Sequence, residues 1–225
     1  MSTFKHKPLS GKLRRIQQET TRIINKVRPA KKKIIIAGTG RAGTSFLVVL
    51  LTRLGFNTGY AAYIEDYSDD LRAGCEYDLF HLDPKKQKQS YKQAPYILKH
   101  PEYSLQLESL LKNKLLEVEH VIIPVRDISQ VARSRRNTNL VWTIEGINDM
   151  ASNLETDQIA LTYALGKLVE TCTLYNLPFT ILKFPDLVTD AHYCYQSLSK
   201  VFKINKDRFN KIFRQLSKPE SIQTK

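Results

Sequence analysis

Lys33-Ile-Ile-Ile-Ala-Gly-Thr-Gly-Arg-Ala-Gly-Thr-Ser-Phe-Leu-Val-Val-Leu-Leu-Thr-Arg-Leu-Gly55 is the stretch that decides the fold. Its opening, Lys33–Ala37, is a short continuous apolar run, the mark of a strand buried on both faces. Gly38–Gly43 follows as a loop, and Thr44–Leu54 reads as a helix stopped at Gly55. Outward from it, Pro95–Lys99 reads as a strand, Ser104–Val118 as a helix, His120–Val125 as a strand and Ile128–Arg136 as a helix. A long helix over Asn153–Tyr175, a strand over Phe179–Phe184 and helices over 190–202 and 206–215 complete the pattern. Strands alternating with helices predict an α/β domain, a mostly parallel central sheet flanked by helices in three layers. Tyr60–Tyr91, polar and tyrosine-rich, and Asn137–Asn153 both leave strand carboxyl ends, so they are the expected substrate-facing loops.

The remaining composition sets bounds. At 225 residues the chain is one domain long and can bury a core without disulfides or metals. Net charge is +13, but residues 1–33 hold eleven of the 35 Lys and Arg and one of the 22 Asp and Glu, which leaves +3 for the rest. Residues 1–32 therefore read as a basic extension and 33–225 as the domain. Leu13, Ile16, Thr20, Ile23, Ile24 and Val27 give the extension an apolar stripe at helical spacing, ended by Pro29. That stripe suits the body of the protein, a partner subunit or a membrane surface. With no aromatic among the basic residues, nucleic acid is not the expected partner. Cys75, Cys172 and Cys194 form no CxxC and no zinc pattern, and read as reduced, semi-buried thiols. No apolar run is long enough to span a bilayer and no secretory signal is visible, so the expected location is cytoplasmic, with peripheral membrane contact through the extension as the variant.

Gly38-Thr-Gly-Arg-Ala-Gly-Thr-Ser45 sits between a buried strand and a helix. Glycines there let several backbone N–H groups face one hollow, and the helix N-terminus adds partial positive charge, which suits an anion. Three sites use such a loop. Gly38, Gly40 and Gly43 spell the G-x-G-x-x-G of an NAD(P)-dependent oxidoreductase, but an acidic residue is expected about 20 positions later, and Glu65 and Asp66 come late after a poor strand. A P-loop nucleotide kinase needs Lys directly after the second Gly, where this chain has Thr44. The third reading places the cation inside the loop, at Arg41.

Gly40-Arg-Ala-Gly-Thr-Ser45 resembles the 5′-phosphosulfate loop of the PAPS-dependent sulfotransferases, within the P-loop sulfotransferase superfamily and nearest its bacterial type. Ala42 replaces the usual Ser. Val125-Arg-Asp-Ile-Ser-Gln-Val-Ala-Arg-Ser134 resembles the family's 3′-phosphate site, an Arg at a strand end and a Ser eight positions on, here Arg126 and Ser134. Tyr96-Ile-Leu-Lys-His-Pro101 is similar to the family's strand ending in Lys-x-Pro, and Phe179–Val188 to its late strand, with Phe184-Pro185-Asp186 departing from Tyr-Glu-Asp. The likeness runs from about Lys33 to Ile204.

The resemblance implies a P-loop-type α/β domain that binds PAPS (3′-phosphoadenosine 5′-phosphosulfate) and passes its sulfuryl group to a hydroxyl or amine, releasing 3′,5′-ADP without a metal. It assigns Gly40, Arg41, Ala42, Gly43, Thr44, Ser45, Arg126 and Ser134 to the nucleotide, and Arg41 and Lys99 to the sulfuryl group. Glu76 is the first candidate base and His100 the second, with His81 and Asp66 behind. Alternation along a strand argues against using both Lys99 and His100, an objection that weakens at a strand's last residue. Arg133, Arg135 and Arg136 are expected to extend a positive rim, and Trp142 with Asn137–Asn139 to shape the acceptor pocket. A binding module that merely displays the basic extension is the non-enzymatic alternative. The acceptor class (sugar, lipid or small metabolite) and the oligomeric state are not legible.

Overall fold

The computed structural model describes residues 31–60, 75–80, 82–137 and 153–217. The basic stripe of the extension, His81, Asp66, Trp142 and most of the Asn137–Asn153 loop lie outside them.

Strand β1 (Lys33–Ile36) is flanked by β2 (Ile97–Lys99) and β3 (Val118–Val125), and β4 (Phe179–Lys183) lies beyond β3. The order is β2-β1-β3-β4 and every pairing is parallel. Ile34, Ile35 and Ile36 are all fully buried, as a continuous apolar run in a sheet covered on both faces requires. Because successive side chains point to opposite faces, they divide between two cores. Ile34 and Ile36 join a cluster with Leu47, Leu50, Leu51, Leu182, Phe209 and Phe213. Ile35 joins the other, with Leu98, Val121, Ile123, Leu168 and Cys172. Each fully buried Leu or Ile contributes about 1.5–3 kcal/mol of transfer free energy, so these two clusters are the main favourable term holding the layers together.

The first cluster is completed by α1 (Thr44–Leu54), α7 (Ala191–Leu198) and α8 (Lys206–Leu216). The second is completed by α3 (Tyr103–Lys112) and α5 (Leu154–Leu174). Gly55 ends α1 in the left-handed region (φ 99°), its N–H reaching Leu51 O and Thr52 O. Asn153 starts α5 with a capping box, its side chain accepting from Thr156 N–H. Helix α4 (Ile128–Asn137) buries Val131 and Ala132 against Leu161 of α5, and α6 (Asp186–Thr189) is a single turn after β4. No helix among the described residues is long and apolar enough to cross a membrane.

The α/β reading and its layers hold, and several boundaries move. The stretch read as an open polar segment contains α2 (Pro84–Gln93), capped by the Asp83 side chain on Lys85 N–H. Its residues are almost all polar and Tyr91 is its buried anchor, so it has no apolar period to betray it. Helix α3 stops at Lys112 rather than Val118, because Lys114 turns left-handed (φ 53°) and β3 begins at Val118. The three cysteines are buried rather than half-buried.

Topology creates one crevice. From β1 the chain moves out to β2 and then returns across β1 to β3. Helix α1 leaves β1 for one face, while α5, which follows β3 and α4, packs on the other. The carboxyl ends of β1 and β3 thus bound the gap where the winding reverses, which is where open parallel sheets bind ligands.

Candidate functional site

The loop after β1 is built from positive-φ residues: Gly38 (φ 142°), Gly40 (70°), Arg41 (54°) and Gly43 (85°). Two of these glycines are required by space as well as by angle. A Cβ on Gly38 would meet Pro124 O at 3.1 Å, and one on Gly43 would meet Leu187 Cδ2 at 3.0 Å. Arg41, the non-glycine residue among them, accepts a left-handed conformation that costs about 1–3 kcal/mol and persists only where its surroundings fix it. They do. Ser104, in the first turn of α3, receives Gly38 N–H and donates to Gly38 O, both at 3.1 Å, and pins the start of the loop. Gly43 is the N-cap of α1 and has no side chain to cover the first-turn N–H groups, so the helix end faces the crevice with its partial positive charge. Thr44 and Ala42 are buried and Ser45 half-buried.

The loop's distant partners arrive from β3 and α4. Arg126, one residue past β3, is buried; its Nη1 donates to Arg41 O (3.3 Å) and its Nε to Gln130 Oε1 (3.1 Å). The guanidinium carbon lies 4.9 Å from the centre of the Phe184 ring. Ser134, two turns along α4, receives Arg41 Nε at 3.1 Å. Burial lowers the Arg126 pKa, opposed by the Asp127 charge, yet a guanidinium stays charged under any ordinary condition. Five N–H donors allow one guanidinium to serve several acceptors at once.

The three arginines read as a rim part company. Arg133 is exposed and folds back on Ser129, with Nη2 on its Oγ at 3.1 Å. Arg136 pairs with the buried Asp157 of α5. Arg135 turns inward instead, 6% exposed, and its Nη1 donates to Thr39 O inside the loop at 3.1 Å. Burial, then the nearby Arg41 charge, lowers its pKa to about 10, against the pull of Asp157 and Glu76. So one of the three is an internal support, one a tie to α5, and one a surface residue.

A second group forms at the carboxyl end of β2. Lys99 closes the strand, 6% exposed, and donates from Nζ to Glu76 Oε1 at 2.9 Å. Glu76 is the more open partner, 35% exposed. Desolvation lowers the Lys99 pKa, with the Glu76 carboxylate opposing it. His100 Nε2 lies 4.0 Å from Glu76 Oε2, beyond hydrogen-bond range. Its Nδ1 accepts from Glu102 N–H at 3.2 Å, so in the neutral ring the proton belongs on Nε2, on the Glu76 side. The alternation objection lapses at the strand's last residue: β2 ends at Lys99, and both side chains approach one carboxylate.

The structure therefore brings Arg41, Arg126 and Ser134 into direct contact, and separately Glu76 with Lys99 and His100. The Arg135 charge senses Arg41 of the first group and Glu76 of the second. Ser104, Gln130, Phe184 and the inward role of Arg135 were not visible as site features in the sequence. Only Arg135 had a signal, its place beside Ser134. Among the described residues, no group of three or more His, Cys, Asp or Glu is placed to hold a metal ion. No protein-family model matches the chain, and no curated protein or solved structure matches it either.

Proposed function

We propose that this chain is a PAPS-dependent sulfotransferase. The observation that carries the reading is the convergence of Arg126 and Ser134, 85 and 93 residues away in sequence, on Arg41 of the glycine-rich loop. A nucleotide with phosphates at both its 5′ and 3′ positions needs such a pair of adjoining cationic sites. A dinucleotide fold or a kinase does not call for the second.

In this reading the 5′-phosphosulfate lies over the Gly40–Ser45 backbone at the N-terminus of α1, and the 3′-phosphate takes Arg126 and Ser134. Sulfuryl transfer is an in-line displacement: the acceptor oxygen or nitrogen forms a bond to sulfur as the bridging oxygen of the phosphate leaves. Negative charge grows on that bridging oxygen, where Arg41 and Lys99 supply fixed positive charge. Glu76 takes the acceptor's proton. His100, with its Nδ1 taken by Glu102 N–H and its ring proton on Nε2 in the neutral form, suits the base less well than Glu76. The acceptor enters at the carboxyl end of β2, beside Glu76.

The test is a panel of nucleotides added to the full chain while its melting temperature is followed. 3′,5′-ADP should stabilise it without magnesium, and Arg126→Ala should remove that response while leaving the response to AMP. Stabilisation by ATP with magnesium alone, or by NADPH alone, would transfer the reading to a kinase or an oxidoreductase.

A further inference from the structure

Arg135 is a buried cation that reaches the backbone of the loop. Its Nη1 donates to Thr39 O at 3.1 Å across 96 positions of sequence. The next residue, Gly40, has φ 70°, and a Cβ there would stand 3.3 Å from the same Nη1. The guanidinium is therefore packed closely against the Thr39–Gly40 peptide, and a Cβ on Gly40 would press on it.

A trans peptide places the C=O of one residue and the N–H of the next on opposite sides of the same rigid plane. A cation that holds Thr39 O on one side thus turns Gly40 N–H to the other. One arginine behind the loop thus sets the direction of a donor in front of it. Arg135 is well suited to this task because it is 6% exposed, follows Ser134 directly and sits on a helix packed against α5. Its charge also lies behind the anion, in a medium that screens it poorly.

From this geometry we propose that Arg135 is a positioning residue for the 5′-phosphate: it aims Gly40 N–H into the loop and adds charge from beneath without touching the ligand. The inference rests on the sulfotransferase reading for the identity of the nucleotide.

The experiment is calorimetric titration of the full wild-type chain, Arg135→Met and Arg135→Lys with 3′,5′-ADP, adenosine 5′-monophosphate and adenosine 3′-monophosphate. Arg135→Met should weaken both 5′-phosphate ligands about tenfold or more, while adenosine 3′-monophosphate binds within about twofold of wild type. Arg135→Lys keeps the charge and one donor and should recover part of the loss. It also serves as the working variant if Arg135→Met does not melt cooperatively. Unchanged binding of the 5′-phosphate ligands, or an equal loss for all three nucleotides, overturns the role of Arg135. A wild-type chain that prefers adenosine 5′-monophosphate to 3′,5′-ADP overturns the sulfotransferase reading, yet selective loss in the variant would still support the positioning role. A wild-type chain that binds none of them overturns both.

Discussion

Lys33 and Lys99 are buried lysines on neighbouring parallel strands, at opposite ends of the same sheet, with 1% and 6% of their surface exposed. Burial lowers the pKa of both. Their surroundings differ. Lys33, at the amino end of β1, donates to one neutral acceptor, Ala94 O, at 2.7 Å, and so ties the strand to the end of α2. Lys99, at the carboxyl end of β2, meets a half-open carboxylate, with His100 on its far side and the charges of Arg41 and Arg135 beyond. A buried cation is therefore not evidence of a site by itself. What marks the carboxyl end is that several cations converge there, from four different parts of the chain, around backbone that points N–H groups into a crevice.

The widest separation between the two ends should appear in turnover. Lys99→Met should lower kcat about a thousandfold with 3′,5′-ADP affinity changed less than about threefold, as fits a group that acts on charge developing during transfer. Glu76→Gln should lower kcat comparably and flatten the acid limb of its pH profile, whereas His100→Asn should leave that limb in place. If His100→Asn removes the limb and Glu76→Gln does not, the base is His100.

Lys33 should show itself in stability alone. Its folded pKa is lowered from 10.5 to about 8, so between those values the unfolded chain binds more protons and stability rises with pH. Below about pH 8 the folded state carries the buried charge at full cost. Denaturant unfolding of the wild type and Lys33→Met across pH 7.5–10.5 should show the wild type gaining up to about 3 kcal/mol relative to the variant. A constant difference would mean that Lys33 is solvated in the folded state, and the contrast between the ends would weaken.

Within the carboxyl end, Arg126→Ala should weaken 3′,5′-ADP about a hundredfold and AMP by little, a loss that matches removal of a two-pronged charged contact. Equal losses would place Arg126 on a phosphate that both ligands share. The smallest effect is expected from Ser134→Ala, about fivefold on 3′,5′-ADP, since a single neutral hydroxyl contact is removed.

Much of this organisation can be read from the chain. Ile34–Ile36 announce a strand buried on both faces, Gly38–Gly43 a loop, and Thr44–Leu54 the helix that follows, because each rests on local chemistry: apolar continuity, conformational freedom and a helix stop. Arg126 and Ser134 are legible as a spaced pair on one strand end and one helix. Helix α2 was not legible, since its polar sequence depends on an N-cap and on the burial of Tyr91, neither of which leaves a period.

Direction was the other thing hidden. Arg133, Arg135 and Arg136 are near-identical in sequence, and only the packing of α4 on α5 and the loop decides that the middle one faces inward. Lys99 and His100 meet one carboxylate because β2 ends between them, a boundary set by the pairing with β1 at Ile36. The sequence by itself determined which elements form, α2 excepted, and which residue types stand at strand ends, since those depend on neighbours a few positions away. The tertiary structure decided which side chains share a space, because burial, carbonyl orientation and the crevice between β1 and β3 come from contacts between residues 23 to 96 positions apart.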